Sequence, residues 1–454
     1  MKHRLVHLDC LRGLAALLVC LEHLRAFLFV PFAQLKSPNL LERAFYFVTG
    51  LGHQAVMIFF VLSGFLVGGS VIAAHQNGRW LWTGYALRRL TRLWLVLIPA
   101  LLLTLLWDQL GRHHSAAGYD GAFRALYNSG PAPDAPANLR PATFLGNALF
   151  LQTISVNCFG TNGPLWSLAN EFWYYLLFPL LLGIFMPIPS PPRSGRGQGE
   201  VSLPFFEILK RITCAVLALA MLVWLPGAIL RGGLVWLLGA GVFVLIQNER
   251  ARKWTAHPLW IAGGGLLALA LLAASRMGRL GGENDLLLGL GFALLVAGLA
   301  ARSSSLLRLE RNPSLAGAGE GGRRPGEGLG EKSILCGDGQ DEASSSVSDV
   351  RHPTSGGKFL LSTFRFPFFP LYARISAGAS EFSYTLYLVH FPLLAFFFFV
   401  VFQGRQVAPG FGSAVWFAGI LAAILIYAAA IWWCFERNTD RCRKWLEQIG
   451  KSKA

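Results

Sequence analysis

The sequence predicts an all-α protein, a polytopic transmembrane helix bundle of about ten spans with both termini in the cytoplasm. Of the 454 residues, 54% are hydrophobic and only 14% are charged, whereas a soluble globular protein carries roughly a quarter charged residues. Ten apolar stretches are long enough, or nearly long enough, to form spanning helices of about 20 residues. Lysines and arginines are concentrated on one side of the resulting bundle. These observations exclude an ordinary soluble enzyme and a disordered chain.

The apolar stretches define the predicted spans in chain order. They cover residues 8–30, 48–72, 93–107, 164–187, 212–230, 233–247, 258–274, 286–301, 382–402 and 412–435. The stretch 141–156 is too short to span the membrane and is polar at one end, so we expect a re-entrant or interfacial segment there. With ten spans, the cytoplasmic segments hold 29 lysines and arginines and the outer segments hold 9. An eleventh span at 141–156 would remove most of this asymmetry, so the net charge of +16 is attributed to topology and no nucleic-acid partner is expected.

Two polar inserts interrupt the apolar pattern. Residues 188–208 and 303–358 contain few large apolar side chains to offset the entropy of ordering a chain, and they predict disordered cytoplasmic loops. The predicted membrane domain covers residues 1–440, and residues 441–454 form a basic cytoplasmic tail. The seven cysteines are scattered without CxxC spacing, which predicts free packing thiols and no metal site.

The first span carries an arginine and a histidine at a spacing that places them on one helix face. Arg12 and His23 are 11 residues apart, which is three turns plus about 20°, or roughly 16 Å along the axis. Placing an ionisable side chain inside a membrane span costs at least about 2.5 kcal/mol, so we expect such a residue to have a structural or functional role. A histidine can act as a base near neutral pH, and an arginine can hold an anionic group. The alternative is that both side chains join helices by hydrogen bonding.

A basic cluster follows the second span. Arg88, Arg89 and Arg92 are spaced to lie together on a helix at the predicted cytoplasmic boundary. They are either topological anchors or a phosphate site for a nucleotide-bearing donor. Ser63 in the second span belongs to a stripe of small residues, for which close helix packing is the expected role.

The fourth, ninth and tenth spans contain further polar side chains. Glu171 and Tyr175 are one turn apart, so Glu171 either orients a hydroxyl substrate or a histidine, or is an interfacial residue. Tyr387 and His390 lie near one face of the ninth span. A structural role for His390 competes with a catalytic one. Glu436 at the end of the tenth span is expected to be an anchoring charge or a gate residue.

Six segments in order resemble the acyltransferase-3 family of integral membrane O-acyltransferases. They are LDCLRGLAALLVCLEH ending at His23, IFFVLSGFLV (58–67), RRLTRLWLVLIP (88–99), LWSLANEFWYYLLFP (165–179), SYTLYLVHFP (383–392) and FER (435–437). No single motif is specific, but their order and spacing match from residue 5 to about 440. The two inserts are not part of the resemblance.

The resemblance implies a ten-helix enzyme that transfers an acyl group, usually acetyl, from cytoplasmic acyl-coenzyme A to a hydroxyl. The acceptor is typically a carbohydrate of a polysaccharide, a glycolipid or a glycosylated small molecule, and the location is the bacterial inner membrane. Acyl-coenzyme A is then a donor substrate, and no bound cofactor is expected. By this resemblance, His23, Arg12 and Glu171 are the catalytic candidates. The substrate-binding candidates are Arg88, Arg89, Arg92, Trp166, Ser167, Tyr387 and His390.

Some features depart from the family pattern or leave other functions open. Asn438 stands where a proline commonly follows the motif with Glu436, and the insert 303–358 is unusually long. Some members carry a further hydrolase-like domain after the last helix. The sequence has 18 residues after Glu436, so we expect the membrane part or a separate partner to complete the transfer. A transporter or flippase of a polar or lipid-linked solute would also need intramembrane charges, but no paired repeat of interrupted spans is visible.

Overall fold

The computed structural model describes residues 5–119, 138–186, 204–280, 284–303 and 369–452. Within these ranges the fold is all-α, and extended backbone occurs only as isolated bridges. The α-helices are α1 Val6–Leu28, α2 Leu40–Val48, α3 Gly52–Ser63, α4 Gly69–Gln76, α5 Trp82–His114, α6 Ala116–Tyr119, α7 Pro141–Ala148, α8 Leu165–Phe185, α9 Pro204–Trp224, α10 Gly227–Gln247, α11 Glu249–Thr255, α12 Pro258–Arg276, α13 Asn284–Arg302, α14 Phe369–Glu381, α15 Ser383–Phe396, α16 Phe411–Cys434 and α17 Thr439–Ser452. Two π-helical turns, Gly64–Gly68 and Phe397–Val401, continue α3 into α4 and extend α15.

Most of the predicted spans coincide with helices that have the length and apolarity to cross a membrane. Eight helical stretches in the described residues meet both conditions: Leu40–Gln76, Trp82–His114, Leu165–Phe185, Gly227–Gln247, Pro258–Arg276, Asn284–Arg302, Ser383–Val401 and Phe411–Ile449. Helices α1 and α9 are as long as several of these, but charged residues shorten their apolar segments, because α1 carries four charged residues and α9 carries three. The all-α polytopic bundle is therefore confirmed, while the count of ten spans and the cytoplasmic termini stay predictions.

Two segments test the sequence-based expectations between the long helices, and one of them corrects a boundary. In the segment 141–156, the eight-residue helix α7 is only about 12 Å long, which is too short to span and agrees with a re-entrant or interfacial segment. The insert predicted over 188–208 is wrong at its end, because α9 begins at Pro204. A proline at the first position of a helix is compatible with helical geometry, so it starts α9 instead of extending the loop. Residues 187–203 and 304–368 lie outside the described residues.

Close helix packing around the small-residue stripe sets the geometry of the core. Helix α10 packs against α3 and the turn Gly64–Gly68. A Cβ atom on Gly64 would collide with the carbonyl oxygen of Trp236, and one on Gly239 would collide with that of Val61. The two backbones approach this closely because neither glycine has a side chain. The packing role predicted for this stripe is thus observed at Gly64.

We expect Gly239→Ala to destabilise the bundle. The added methyl group would meet backbone atoms of α3, and overpacking of a close-packed core costs typically about 1–3 kcal/mol. Gly241→Ala on the same helix is the matched control, because nothing lies within 4 Å of its added Cβ. A thermal unfolding series in detergent should show a lower midpoint for Gly239→Ala and an unchanged or higher midpoint for Gly241→Ala. Equal midpoints would contradict this packing.

An irregular loop between α7 and α8 inserts into the bundle and is tied to α5. Asp108 on α5 is fully buried, and its carboxylate accepts hydrogen bonds from the Thr161 backbone N–H and hydroxyl, both at 2.7 Å. Gly160 has a φ of +56° and lies against this carboxylate, where a side chain would collide. The Asn162 amide donates to the Leu388 carbonyl on α15 at 2.9 Å. The loop therefore bridges α5 and α15 beside the candidate site.

Candidate active site

A cavity of about 310 Å³ opens between α1, α3, α5, α8 and α15. Its apolar wall is formed by leucine, valine and phenylalanine side chains of α3, α5 and α8. Ten polar residues complete the lining: Arg12, Ser63, Arg89, Arg92, Ser167, Glu171, Tyr175, Ser383, Tyr384 and Tyr387. Seven of these belong to the residues singled out from the sequence as catalytic or substrate-binding candidates or as their neighbours on a helix face. Residues from separate motifs thus meet in one space.

Three arginines line this cavity and give it a positive potential. The Arg12 guanidinium donates to the Ser380 hydroxyl at 3.3 Å, and that hydroxyl donates to Asp9 at 2.9 Å. Arg89 donates to Ser70 at 3.3 Å, while Arg92 is exposed to the cavity opening. A charged donor held at a fixed angle is suited to binding an anionic group, because its orientation is set before the ligand arrives.

Two tyrosine rings contact the guanidinium group of Arg89. The Arg89 guanidinium lies 5.5 Å from the centre of the Tyr85 ring and 5.8 Å from that of Tyr175. Such cation–π contacts stabilise a buried cation without neutralising it. Arg88 is exposed and is not part of the cavity lining. The predicted cluster is therefore split: Arg89 and Arg92 lie with Arg12 in the cavity, and Arg88 lies outside it.

A hydrogen-bonded chain ends on the carboxylate of Glu171. The Trp236 indole N–H donates to Ser63 Oγ at 3.0 Å, Ser63 Oγ lies 3.1 Å from the Tyr175 hydroxyl, and that hydroxyl donates to Glu171 Oε2 at 3.0 Å. An indole can only donate. Because the Tyr175 proton goes to Glu171, Ser63 directs its own proton to the Tyr175 oxygen. Every donor in the chain then points toward Glu171, which is the arrangement an ionised carboxylate requires.

Ser63 and Trp236 are members of the site that sequence reasoning missed. The sequence assigned Ser63 to helix packing, and it has a second role as the link between Trp236 and Tyr175. Its position as a polar residue inside the apolar stretch 48–72 was the available signal. Trp236 carries no such signal, because a tryptophan inside an apolar span is ordinary.

Tyr387 forms the wall at another side of the cavity. Its hydroxyl oxygen lies 3.1 Å from the Pro164 carbonyl oxygen and 2.7 Å from the Ser167 hydroxyl oxygen, so the three groups share a hydrogen-bond network. Ser167 on α8 and Tyr387 on α15, both predicted to bind substrate, therefore line the cavity and contact each other. Trp166, also predicted to bind substrate, is not part of the lining and instead packs edge-on against Phe60 at 6.2 Å.

The two intramembrane histidines form a direct pair. His23 Nδ1 lies 2.8 Å from His390 Nε2, and the rings stack with centroids 5.1 Å apart. His390 Nδ1 lies 2.9 Å from the Leu386 carbonyl oxygen, which can only accept, so this nitrogen carries a proton. In neutral rings, His390 Nε2 is then the acceptor and His23 Nδ1 the donor. The lone pair of His23 Nε2 is left for a proton or an electrophile.

The histidine pair lies next to the arginine cavity but is not part of its lining. The Tyr387 ring is 6.2 Å from the His390 ring, and His390 is fully buried, whereas His23 is partly exposed. Arg12 and His23 are on one helix as predicted, and α1 packs against both α14 and α15. The structure thus separates an arginine-lined cavity from a histidine centre behind Tyr387.

Glu436, just after α16, contacts the N-terminal turn of α15. Its Oε2 accepts from the Thr385 backbone N–H at 3.2 Å and from the Thr385 hydroxyl at 2.6 Å. Arg92 and Arg12 are within electrostatic reach of this carboxylate. A carboxylate that caps the first turn of a helix satisfies an otherwise unpaired N–H and favours the helix dipole. Glu436 therefore links the end of α16 to the first turn of α15 through hydrogen bonds, while the anchoring charge pair and the gate residue stay predictions.

The site combines the groups that acyl transfer uses. The arginines can hold an anionic donor, the imidazole of His23 can accept a proton or an acyl group, and Glu171 can accept a hydrogen bond. Among the described residues, no group of three or more histidine, cysteine, aspartate and glutamate side chains is placed to hold a metal ion.

Comparison with known proteins identifies the family. The acyltransferase-3 family model, described as an acyltransferase domain, matches residues 5–309, which is about two thirds of the chain. The match ends inside the predicted insert 303–358, so it includes Arg12, His23 and Glu171 but not Tyr387 or His390. No curated protein and no solved structure matches the chain. The chain, an integral membrane protein with an acyltransferase domain, therefore belongs to the acyltransferase-3 family.

Proposed function

We propose that this membrane acyltransferase moves an acyl group, in the first instance acetyl, from cytoplasmic acyl-coenzyme A to a hydroxyl of a carbohydrate-type acceptor. The acceptor class covers polysaccharides, glycolipids and glycosylated small molecules, and the proposed location is the bacterial inner membrane. The observation that carries the proposal is an arginine-lined cavity adjoining a histidine pair whose hydrogen bonds leave one imidazole lone pair available.

The donor fits the charge and the walls of the cavity. Acyl-coenzyme A carries phosphates at one end and a narrow, mostly uncharged arm with a thioester at the other. Arg92 at the opening and Arg89 beside it supply charges for the phosphates. The cavity has the volume of a small ligand site, so it would hold the arm while the nucleotide stays near the surface. Arg12 lies against α14, where it would hold polar groups of the arm and leave the thioester to extend toward His23.

His23 Nε2 would carry out the chemical step. As a general base, it takes the proton of the acceptor hydroxyl while the oxygen attacks the thioester carbonyl. The C–S bond then breaks, and the imidazolium returns its proton to the leaving thiolate, giving an ester and free coenzyme A. As an acyl carrier, Nε2 itself attacks the carbonyl, the C–S bond breaks and coenzyme A leaves as a thiolate that takes up a proton. The acceptor hydroxyl then attacks the acyl-imidazolium, the N–C bond breaks, and the hydroxyl proton is released as the ester forms. Glu171 would accept a hydrogen bond from a hydroxyl in either route.

We expect Arg92→Gln and Arg12→Gln to raise the KM for the acyl donor. Hydrogen bonds to charged groups contribute about 1.5–3 kcal/mol, so each loss corresponds to roughly a 10- to 100-fold change. Arg88→Gln is the matched control, because this neighbouring arginine is exposed and outside the cavity. Steady-state kinetics with varied acetyl-coenzyme A measures the effect. An equal rise for Arg88→Gln would favour a diffuse surface charge over a defined donor site.

His390 should act by orienting His23. His390→Leu removes the acceptor for His23 Nδ1, whereas the amide oxygen of His390→Gln can take its place. We expect His390→Leu to lower kcat by about 100-fold, at the lower end of what a well-placed general base contributes. His390→Gln should retain most activity, and both variants should keep the donor KM. Equal losses in the two variants would argue against a role through hydrogen bonding.

Donor consumption distinguishes the proposal from transport. Membranes containing the wild-type protein are supplied with acetyl-coenzyme A, with and without a lipid-glycan extract, and free thiol release is measured. We expect release that depends on the extract, and an acetylated carbohydrate among the products by mass spectrometry. Movement of a solute without thiol release, across varied donors and acceptors, would instead support a transporter or flippase.

A further inference from the structure

The last membrane helix of the chain, α16, marks the two edges of the membrane with tryptophans. Trp416 and Trp433 are 56% and 61% exposed. They are 17 residues apart, which corresponds to about 26 Å along a helix and is close to the hydrocarbon thickness of about 30 Å. Tryptophans are enriched at both membrane interfaces. Trp433 therefore places the membrane surface near the end of α16.

The chain turns into a new helix at this surface. Helix α16 ends at Cys434, where the Asn438 side chain donates to the Cys434 carbonyl at 2.9 Å. The guanidinium of Arg437 lies 3.7 Å from the centre of the Trp433 ring, so the first basic side chain after the span stacks on the interfacial ring. Helix α17 begins two residues later, at Thr439, and packs against α5. It thus starts at the depth of the lipid headgroups.

One face of α17 is apolar and remains substantially exposed in the part of the chain that the structure describes. Trp445, Leu446 and Ile449 are 61%, 38% and 36% exposed. At 100° per residue they fall within an arc of about 100°. Exposed tryptophan, leucine and isoleucine on one arc of a charged helix are typical of helices that lie in a membrane interface.

The charged residues of α17 lie on the faces expected of a helix whose apolar arc faces the membrane. Arg443 is only 11% exposed and pairs with Asp440 at 3.5 Å and Glu447 at 3.8 Å, so it lies on the side toward the protein. Arg441 flanks the apolar arc, and Lys444 lies on the opposite side of the helix. From residue 437 to residue 449 the chain carries four basic and two acidic side chains. The excess of positive charge complements anionic lipid headgroups.

We propose that α17 is an interfacial anchor that lies along the membrane surface at the end of α16 and binds the phosphates of anionic lipids. The apolar arc faces the acyl chains, and the basic side chains lie at headgroup level. The anchor holds α17 against α5, the helix that carries Arg89 and Arg92. It also fixes Glu436, because the Thr439 hydroxyl donates to the Glu436 carbonyl at 2.6 Å. The proposal does not depend on which acyl group or acceptor the enzyme uses.

Spin labels on adjacent residues test the orientation in the full chain. Leu446→Cys and Glu447→Cys point to the apolar arc and to the opposite side, and each is labelled with a nitroxide in a background in which the seven native cysteines are replaced. In nanodiscs of phosphatidylcholine and phosphatidylglycerol, we expect the label at 446 to be relaxed mainly by oxygen and the label at 447 by a water-soluble nickel complex. Equal relaxation of both labels by the nickel complex would overturn the proposal.

Lipid charge and a second readout complete the test. Hydrogen exchange of the α17 amides in the unaltered protein needs no cysteine replacement, and we expect slower exchange in anionic than in neutral nanodiscs. Each basic residue near an anionic surface should shift the docked population about fivefold, so Arg441→Gln with Lys444→Gln should remove most of this difference, while Gln448→Ser should not. Equal exchange rates of the α17 amides in anionic and neutral nanodiscs would overturn the assignment to anionic lipids. Protection that instead rises with protein concentration in detergent would assign the apolar arc to a second copy of the chain.

Discussion

His23→Asn should abolish acyl transfer while leaving donor binding intact. The asparagine amide can still donate to His390 Nε2, so the local hydrogen bond is kept, but it has no basic or nucleophilic nitrogen. Loss of a general base lowers turnover by about 10²- to 10⁴-fold, and loss of an acyl carrier removes the route altogether. The cavity lining does not include His23, so the affinity for coenzyme A should stay within about twofold. Steady-state turnover and isothermal titration with coenzyme A measure the two quantities separately.

A second histidine offers a matched control for this prediction. His75 on α4 is also buried, and its Nδ1 lies 3.0 Å from the Val71 carbonyl in the same i to i−4 pattern that His390 shows. It is not part of the cavity or of the histidine pair. His75→Asn should therefore leave turnover unchanged. Turnover by His23→Asn at the wild-type rate would remove His23 from the mechanism, and a joint loss of coenzyme A binding would contradict the separation of cavity and histidine centre.

The composition and the helical period predicted the bundle but not the length of its helices. The span predicted over 93–107 lies within α5, which runs over 33 residues. An apolar window stops at Arg88, Arg89 and Arg92, whereas a helix continues wherever its backbone hydrogen bonds are satisfied internally and the side chains find partners. In α5, Arg89 and Arg92 line a cavity, which the amino-acid sequence alone does not indicate.

Spacing within one helix was informative about the site, and spacing between helices was not. The shared face of Arg12 and His23 follows from the helical repeat of α1 alone. Their partners come from the far end of the chain, because Ser380 and His390 are 368 and 367 residues away from them. No local pattern encodes such a pairing, so the assignment of the free lone pair to His23 Nε2 required the fold. For the same reason, the sequence could not predict the hydrogen bonds that connect Trp236 through Ser63 and Tyr175 to Glu171.

Asp108→Ala should cause a large loss of stability. The carboxyl group accepts two hydrogen bonds at 2.7 Å from Thr161, and removing the partner of a buried donor costs about 1–3 kcal/mol, so we expect a loss of about 3 kcal/mol. The change also strands a backbone N–H and a hydroxyl, because both residues are fully buried. Asp108→Asn is the matched control, since its amide oxygen can still accept from the Thr161 N–H and its NH₂ can donate to the hydroxyl. Thermal unfolding in detergent should place Asp108→Ala well below Asp108→Asn.

The effect of Asp108→Ala should reach the histidine centre without a contact between them. The loop that Asp108 anchors also donates from Asn162 to the Leu388 carbonyl and ends at Pro164, whose carbonyl holds the Tyr387 hydroxyl. Tyr387 in turn separates the arginine cavity from His390. If the loop loosens, Tyr387 loses a partner, and kcat should fall together with the unfolding midpoint. An unchanged kcat at temperatures where the variant is still folded would mean that α8 and α15 hold Tyr387 by themselves, and that the loop serves stability alone.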